Sequence, residues 1–300
     1  MRVHILGSAA GGGFPQWNCN CSNCSGLRAG SLPAKARTQC TVAVSADGLR
    51  WSLLNAGPDL RTQILSFPRL LSNSGTRQSV IDAVLLSDAE LDHIVGLLSL
   101  RETQPISLYC TERVFEWVFE TNPVFGALIQ PERFRRINLN NHSPAPIGDG
   151  QLRGEAIFVE GKVPSFVRQS SHSLVGSTVA YKMVDTRNGS SMIHVPAIRS
   201  ISEELIESIA RCDCLLFDGS FWTDDEMARL GIGNRTAWSM GHIPISGPAG
   251  SLGRLSHLSV RKIYTHINNT NPILDEGSLE RRTVEEAGWE VAEDAMDFSV

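Results

Sequence analysis

The stretch SDAELDHIVGL, residues 87–97, places three acidic residues and a histidine directly after the apolar run AVLL, residues 83–86. The apolar run is typical of a buried strand, and the residues from His93 onwards show the spacing of a helix. Asp92 and His93 therefore lie on the turn between the two elements, where adjacent residues can share one metal ion. Imidazole nitrogen and carboxylate oxygen suit iron, zinc or manganese. The alternative is that Asp92 only caps the helix and His93 packs in its first turn.

Two other predicted strands end in residues of the same types. The run 213–217 leads to Asp218, and the run 262–265 leads to His266. Equivalent positions at strand ends favour a metal cluster with Asp92 and His93 over a simple helix cap. His172 in SSHS and His242 in GHIP are different, because a single histidine in such a context is more often structural than functional.

Short apolar runs alternate with helical patterns along the chain. The runs predict strands over residues 2–6, 41–45, 51–55, 82–87, 107–110, 179–184, 213–217 and 262–265. The helical patterns cover residues 93–101, 112–120, 202–210, 248–255 and 278–287, with Ser202 as an N-cap. This arrangement favours a layered α/β sandwich. Segment 138–150 has the composition of a surface connection, so we expect one domain over residues 1–300.

A cysteine-rich loop at residues 14–26 carries Cys19, Cys21 and Cys24. Three thiols within six residues can surround one tetrahedral ion, which predicts a structural Zn(II) site with one further ligand from elsewhere. The alternative, three free surface thiols, would be an oxidation liability. The other cysteines lie on or beside apolar runs and are expected to be small buried residues: Cys40, Cys110, Cys212 and Cys214.

Composition excludes several classes of protein. The 300 residues are 42% hydrophobic and 20% charged, which allows a sizeable core and excludes a disordered or fibrous chain. Lys and Arg total 27 against 32 Asp and Glu, so we expect no nucleic-acid partner.

The start of the sequence lacks the layout of a secretory signal, and no apolar stretch is long enough for a bilayer. The glycine-rich stretch 7–13 matches no nucleotide-binding fingerprint. We expect a cytoplasmic protein without a membrane partner.

The stretch 87–97 resembles the THxHxDHxxGL motif of the metallo-β-lactamase superfamily, with Asp88 and Glu90 in place of the first two histidines. Later landmarks of that superfamily are similar to His172, Asp218 and His266, in the right order. His242 resembles the GHxT histidine of the tRNase Z-like branch. The resemblance implies a metallo-β-lactamase-like αββα sandwich.

Longer strings at 7–21, 96–102, 222–227 and 265–276 resemble the pyrroloquinoline quinone (PQQ) biosynthesis protein B family. This resemblance implies a role in making PQQ from a ribosomal precursor peptide. It leaves two functions open. One is an oxidoreductase, an iron- and O2-dependent hydroxylase of the tyrosine in a precursor-derived Glu-Tyr dipeptide. The other is a non-catalytic soluble carrier in the transport of PQQ or its precursor. Other PQQ biosynthesis proteins are expected partners, and a homodimer is compatible with either function.

The departures from the superfamily motif bear on mechanism. A first metal would be left with Asp88, Glu90, His172 and Asp218, a set poor in nitrogen, so a degenerate two-metal hydrolase is disfavoured. The second set is intact and implies an active-site Fe(II) held by Asp92, His93, Asp218 and His266. Glu90, His172 and His242 would line the pocket as catalytic residues that orient substrate or move protons. At the cysteine site, related proteins have a histidine where this chain has Asn269, so the fourth ligand is Asn269, Asp275 or water.

Overall fold

The computed structural model describes residues 1–72, 75–102, 105–130, 133–167 and 174–300. Within these ranges two seven-stranded sheets pack face to face, and helices cover their outer faces. This is the predicted αββα sandwich.

The strands are β1 Arg2–Gly7, β2 Thr41–Ser45, β3 Trp51–Leu54, β4 Ile81–Leu85, β5 Ile106–Cys110, β6 Phe134–Asn138, β7 Ala145–Ile147, β8 Leu152–Phe158, β9 Val179–Asp185, β10 Ser191–Val195, β11 Cys214–Asp218, β12 Arg261–Thr265, β13 Trp289–Val291 and β14 Met296–Ser299. The α-helices are α1 Ser22–Ala29, α2 Leu60–Ser66, α3 Leu91–Ile94, α4 Glu112–Phe115, α5 Pro123–Gly126, α6 Glu203–Ala210, α7 Glu226–Arg229, α8 Ser251–Arg254 and α9 Leu279–Glu286. Short 3₁₀ helices cover Pro68–Leu70, Val95–Leu100, Trp238–Met240 and Pro272–Leu274, and Glu116–Glu120 is π-helical.

Strand order explains where the polar strand ends meet. The first sheet runs β14-β1-β2-β3-β4-β5-β6 and the second β13-β12-β11-β10-β9-β8-β7. In each sheet four neighbouring strands are parallel, β3 to β6 and β10 to β13. The carboxyl ends of parallel strands lie at one edge of a sheet. Asp218 and Thr265 are directly paired in register, which places Asp218 beside the residue before His266.

Apolar side chains fill three layers. Between the sheets lie fully buried residues from both, including Val44, Leu85 and Leu216. The outer face of the first sheet packs on α2 and the 3₁₀ helix Val95–Leu100, while α6 and α9 cover the second sheet. The cap predicted at Ser202 is confirmed, since its Oγ accepts a hydrogen bond from Leu205 N at 3.2 Å.

Several predicted elements are wrong in extent. The helix predicted over 93–101 is α3 followed by the 3₁₀ helix Val95–Leu100, where Gly96 lies against the backbone that follows β3 and donates a hydrogen bond to Ala56 O at 2.8 Å. A Cβ at Gly96 would lie 2.2 Å from the Gly57 carbonyl oxygen. The helix predicted over 112–120 becomes π-helical after Phe115, and that over 248–255 is only Ser251–Arg254.

The sequence patterns missed six strands: β6, β7, β8, β10, β13 and β14. Segment 138–150 is not only a connection, because it includes the edge strand β7, which pairs with β8. The four cysteines predicted to be buried are at most 7% exposed, which confirms that expectation. None of the helices in the described ranges has the length and apolar character to cross a bilayer.

Candidate metal centre

Helix α3, which follows β4, and the ends of β11 and β12 bring the predicted metal-binding residues together. Asp92 and His93 lie inside α3, so their predicted place on the turn before the helix is wrong. Donor atoms of Asp92, His93 and His266 lie within 4.8 Å of one another. A second group of the same tightness consists of Asp218, His242 and His266. His266 is common to both groups. The structure thus places His242, predicted only to line the pocket, among the candidate ligands.

His93 is oriented by Asp88. Its Nδ1 lies 2.8 Å from both carboxylate oxygens of Asp88. Asp88 also accepts hydrogen bonds from Ser87 Oγ and from Glu90 N, each at 2.9 Å. His93 Nε2 is buried and has no hydrogen-bond partner in the described part of the chain. A buried nitrogen without a partner is costly unless it binds something, so Nε2 is the atom available to a metal.

Ser220 fixes the ring of His266. Ser220 Oγ lies 2.8 Å from His266 Nδ1 and 2.6 Å from Asp218 Oδ1. The other ring nitrogen, His266 Nε2, lies 3.2 Å from Asp92 Oδ2. His266 has a φ of +55°, a left-handed conformation that few residues other than glycine adopt. Ser220 was missed in the sequence analysis, since nothing in its local pattern separates it from other serines.

Asp218 holds His242. Asp218 Oδ2 lies 2.8 Å from His242 Nδ1 and accepts a hydrogen bond from Ile198 N at 3.2 Å. The His242 ring stacks on that of His266, with centroids 5.3 Å apart and planes at 21°. Asp218 therefore orients one histidine directly and the other through Ser220. Carboxylate–histidine contacts of this kind set the tautomer of a metal ligand.

The site is electrostatically suited to a cation. Burial alone would lower the pKa of His93, but the carboxylates of Asp88 and Asp92 outweigh it and raise the pKa to about 9. Burial alone would raise the pKa of Asp92, yet His93 and His266 hold it well below its usual range. Burial lowers the pKa of His266, and its contact with Asp92 does not reverse this. The acidic field that draws a proton to His93 would equally favour a divalent ion.

A cavity of about 240 Å³ opens over these groups. Its walls include Glu90 and His242, two of the predicted catalytic residues, together with Ala10 and Gly11 from the glycine-rich turn. Burial raises the pKa of Glu90, whose Oε1 lies 3.3 Å from Lys162 Nζ. The third predicted catalytic residue, His172, lies outside the described residues.

The cysteine loop forms a separate cluster. The three sulfurs of Cys19, Cys21 and Cys24 lie within 4.8 Å of one another. Asn269 Nδ2 lies 3.1 Å from Cys19 Sγ, 3.6 Å from Cys21 Sγ and 3.3 Å from Cys24 Sγ. Asp275 accepts a hydrogen bond from Gly277 N at 2.9 Å within its own turn. Of the two side chains considered for the fourth position, Asn269 is therefore the one at the cluster.

Known proteins provide an independent comparison. A family model described as a beta-lactamase superfamily domain matches residues 50–267. A coenzyme PQQ synthesis protein B from Ruegeria pomeroyi is 45% identical, over 99% of both chains. One from Methylorubrum extorquens is 43% identical over the whole of both. The crystal structure of Zn(2+)-bound PqqB from Methylobacterium extorquens superposes with a TM-score of 0.94, at 41% identity and full coverage of both chains.

More distant structures share the fold alone. A diphosphatase of the PhnP family has a TM-score of 0.68 at 20% identity, with 100% of this chain and 97% of that one covered. The short form of human tRNase Z has a TM-score of 0.60 at 16% identity, with 100% and 99% covered. The PQQ synthesis proteins, in contrast, are more than 40% identical to this chain over almost its full length. The chain belongs to the coenzyme PQQ synthesis protein B family, within the beta-lactamase superfamily.

Proposed function

We propose that this protein acts in PQQ biosynthesis as an Fe(II)- and O2-dependent hydroxylase of the tyrosine in a Glu-Tyr dipeptide. Its full-length relatives are named for PQQ synthesis, which supports the pathway. The observation that carries the chemistry is the contact between Asp88 and His93. Asp88 stands where the superfamily motif has its first histidine, and it directs both oxygens to His93 Nδ1. In this position Asp88 orients a ligand of the metal centre that contains His93.

The donor set fits a single iron. Asp92, His93 and His266 supply one carboxylate and two imidazoles, the set typical of non-haem Fe(II) oxygenases with open positions. His93 Nε2, which is buried and lacks a hydrogen-bond partner among the described residues, is the strongest support for an ion at this place. Asp218 is proposed as a further ligand, with His242 as its neighbour. A bound Fe(II) would supply the activation of O2.

The hydroxylation has a definite balance. One oxygen atom of O2 enters a ring C–H bond to give a C–OH group, and the other leaves as water. Two protons and two electrons from an external reductant, such as ascorbate, complete the reaction. The chain's own contribution is to hold the phenol ring in the cavity, exclude water and position proton-transfer groups.

Two side chains are suited to proton transfer. His242 Nδ1 is engaged by Asp218, so its Nε2 is the nitrogen left for substrate. Glu90 is half-buried on the cavity wall, where its carboxyl group can accept a proton from a phenol held nearby. His172 is kept as a proposed pocket residue on the sequence pattern alone.

We also propose a structural Zn(II) at Cys19, Cys21 and Cys24, with Asn269 as the fourth ligand. The three sulfurs already converge around the Asn269 amide. A rotation of that amide by 180° would direct its carbonyl oxygen, the atom through which an amide binds a metal, towards them. The related PqqB crystallised with bound Zn(2+), which supports metal binding in this family.

Product mass tests the proposal. The protein is loaded anaerobically with Fe(II), mixed with Glu-Tyr and ascorbate, and exposed to air. We expect an iron-dependent gain of one or more oxygen atoms in the dipeptide. His93→Ala should lose both bound iron and product, whereas His257→Ala, an exposed histidine away from the site, should retain both. Unchanged dipeptide with a loaded site would reject the hydroxylase and favour the soluble carrier. Unchanged iron content in His93→Ala would reject the ligand assignment.

A further inference from the structure

Two cations on the cavity wall have no task in the reaction described above. Lys162 and Arg235 both line the cavity over the candidate metal centre. Lys162 lies in the connection that follows β8, and Arg235 lies between α7 and the 3₁₀ helix Trp238–Met240. They are the Lys and Arg side chains of the described cavity wall. Because they come from different loops, it is the fold that brings both to one space.

Lys162 has a fixed place beside the site. Its Nζ is 3.3 Å from Glu90 Oε1, and about a third of its side chain is exposed. Its stem packs against Gly241, which has a φ of +86°. A Cβ at Gly241 would lie 3.0 Å from Lys162 Cγ, so a side chain there would displace the lysine. Glycine next to His242 thus leaves room for the aliphatic part of Lys162, while the ammonium group stays at the cavity.

Arg235 is exposed and makes no ion pair or hydrogen bond with the residues that the structure describes. A guanidinium group presents a planar fork of donors that matches a carboxylate. The floor of the cavity is acidic, with Asp88 and Asp92 beneath it, and the whole chain carries a formal net charge of −5. A bound divalent ion would offset the charge of this floor. Away from the ion, a carboxylate in the cavity would meet Lys162 and Arg235 as the cationic side chains of the described wall.

We propose that Lys162 and Arg235 form a carboxylate clamp that selects ligands carrying carboxylate groups. The ring of such a ligand also needs an apolar surface. Phe221 and Met240, which line the same cavity and are at most 7% exposed, provide one. The inference rests on the proposed function for its first probe, since Glu-Tyr carries two carboxylates. PQQ, a tricarboxylic acid, is the second probe. The clamp can therefore be tested whether the protein is a hydroxylase or a soluble carrier.

Calorimetric titration of the iron-loaded protein without oxygen measures binding apart from turnover. The probes are Glu-Tyr, Glu-Tyr amide, Gln-Tyr and PQQ. Charge-assisted hydrogen bonds to carboxylates predict a Kd for Glu-Tyr roughly 10- to 100-fold higher in Arg235→Gln than in the unchanged protein. The penalty should vanish for whichever neutralised dipeptide lacks the carboxylate that Arg235 binds. Lys162→Met should show the same dependence on the other carboxylate.

Arg229→Gln is the matched control, because Arg229 is exposed on α7 and does not line this cavity. Its Kd should match that of the unchanged protein. Equal iron content and unfolding temperature across the variants would exclude a general structural effect. The clamp is wrong if Arg235→Gln binds Glu-Tyr and PQQ as the unchanged protein does, or if its penalty is the same for the neutralised dipeptides.

The outcomes separate this inference from the proposed function. Carboxylate-dependent binding without hydroxylation would reject the hydroxylase and support the clamp. Hydroxylation with the same KM in Arg235→Gln and the unchanged protein would support the hydroxylase and reject the clamp. Failure of the unchanged protein to bind either Glu-Tyr or PQQ would overturn the clamp as well.

Discussion

The carboxyl group of Glu226 makes the stability of this protein depend on pH in a way that can be calculated. Glu226 is 6% exposed, and its carboxylate accepts hydrogen bonds from Trp222 N at 2.7 Å and from Thr270 Oγ1. Burial nevertheless raises its pKa from 4.5 to about 7. Between these values the folded protein keeps a proton that the unfolded chain has released. The free energy of unfolding therefore falls as pH rises through this window and stays low above it.

The size follows from the two pKa values. A difference of about 2.5 pKa units corresponds to about 3 kcal/mol, and about 2.5 kcal/mol of it develops between pH 5 and pH 8. Glu226→Gln cannot ionise, and its amide oxygen can still accept the hydrogen bond from Trp222 N. The difference in free energy of unfolding, variant minus unchanged protein, should therefore increase by about 2.5 kcal/mol from pH 5 to pH 8. Urea unfolding of both proteins, with equal metal content, measures this difference.

The neighbouring Asp225 provides the control for this series. Its side chain is 62% exposed, so Asp225→Asn should differ from the unchanged protein by a nearly constant amount at both pH values. The free energy of unfolding of Glu226→Gln is compared with that of the unchanged protein at both pH values. If their difference is the same at pH 5 and pH 8, or decreases as pH rises, the assignment of a buried, protonated carboxyl group is wrong.

Three further variants test the metal sites. Asp88→Asn should weaken binding at the iron site about 10- to 100-fold, because it removes the carboxylate that orients His93; competition with a chelator measures this, and unchanged affinity contradicts the proposed role. Ser220→Ala should destabilise the metal-free protein by about 1 to 3 kcal/mol, since buried polar atoms lose their partner; urea unfolding that shows no change would refute it. Cys24→Ser should lose one equivalent of zinc and unfold at a lower temperature; elemental analysis with zinc retained would exclude the proposed ligand set.

Strand ends were the part of the site that the sequence could reveal. Asp92, His93, Asp218 and His266 were predictable because an apolar run that stops at an acidic residue or histidine is a local pattern. Ser220 and Lys162 were not, since Ser220 becomes significant only through His242 and His266 and Lys162 only through Glu90, all of them distant in the chain. The contact between Asp88 and His93 spans five residues, but its direction depends on how tightly the turn after β4 closes.

The fold was predictable at the level of layers and less so in its individual strands. β10, Ser191–Val195, escaped because His194 and Ser191 interrupt its apolar character, yet every one of its residues is buried. β13, Trp289–Val291, has three residues, too few for an alternating pattern to show. In both cases pairing with a neighbouring strand, not local preference, fixes the conformation.

The segment after β12 serves both proposed metal sites. His266 belongs to the iron site and Asn269 to the cysteine cluster, and Asn23 of α1 donates hydrogen bonds to the carbonyl oxygens of Asn269 and Asn271 at 3.1 and 2.9 Å. Zinc would therefore hold the backbone from which His266 projects. Stripping the thiolate-bound ion during purification would leave a protein of unchanged sequence that regains little activity when iron alone is restored. Preparations of this protein would then differ in activity according to their exposure to chelators, with zinc content as the measurable cause.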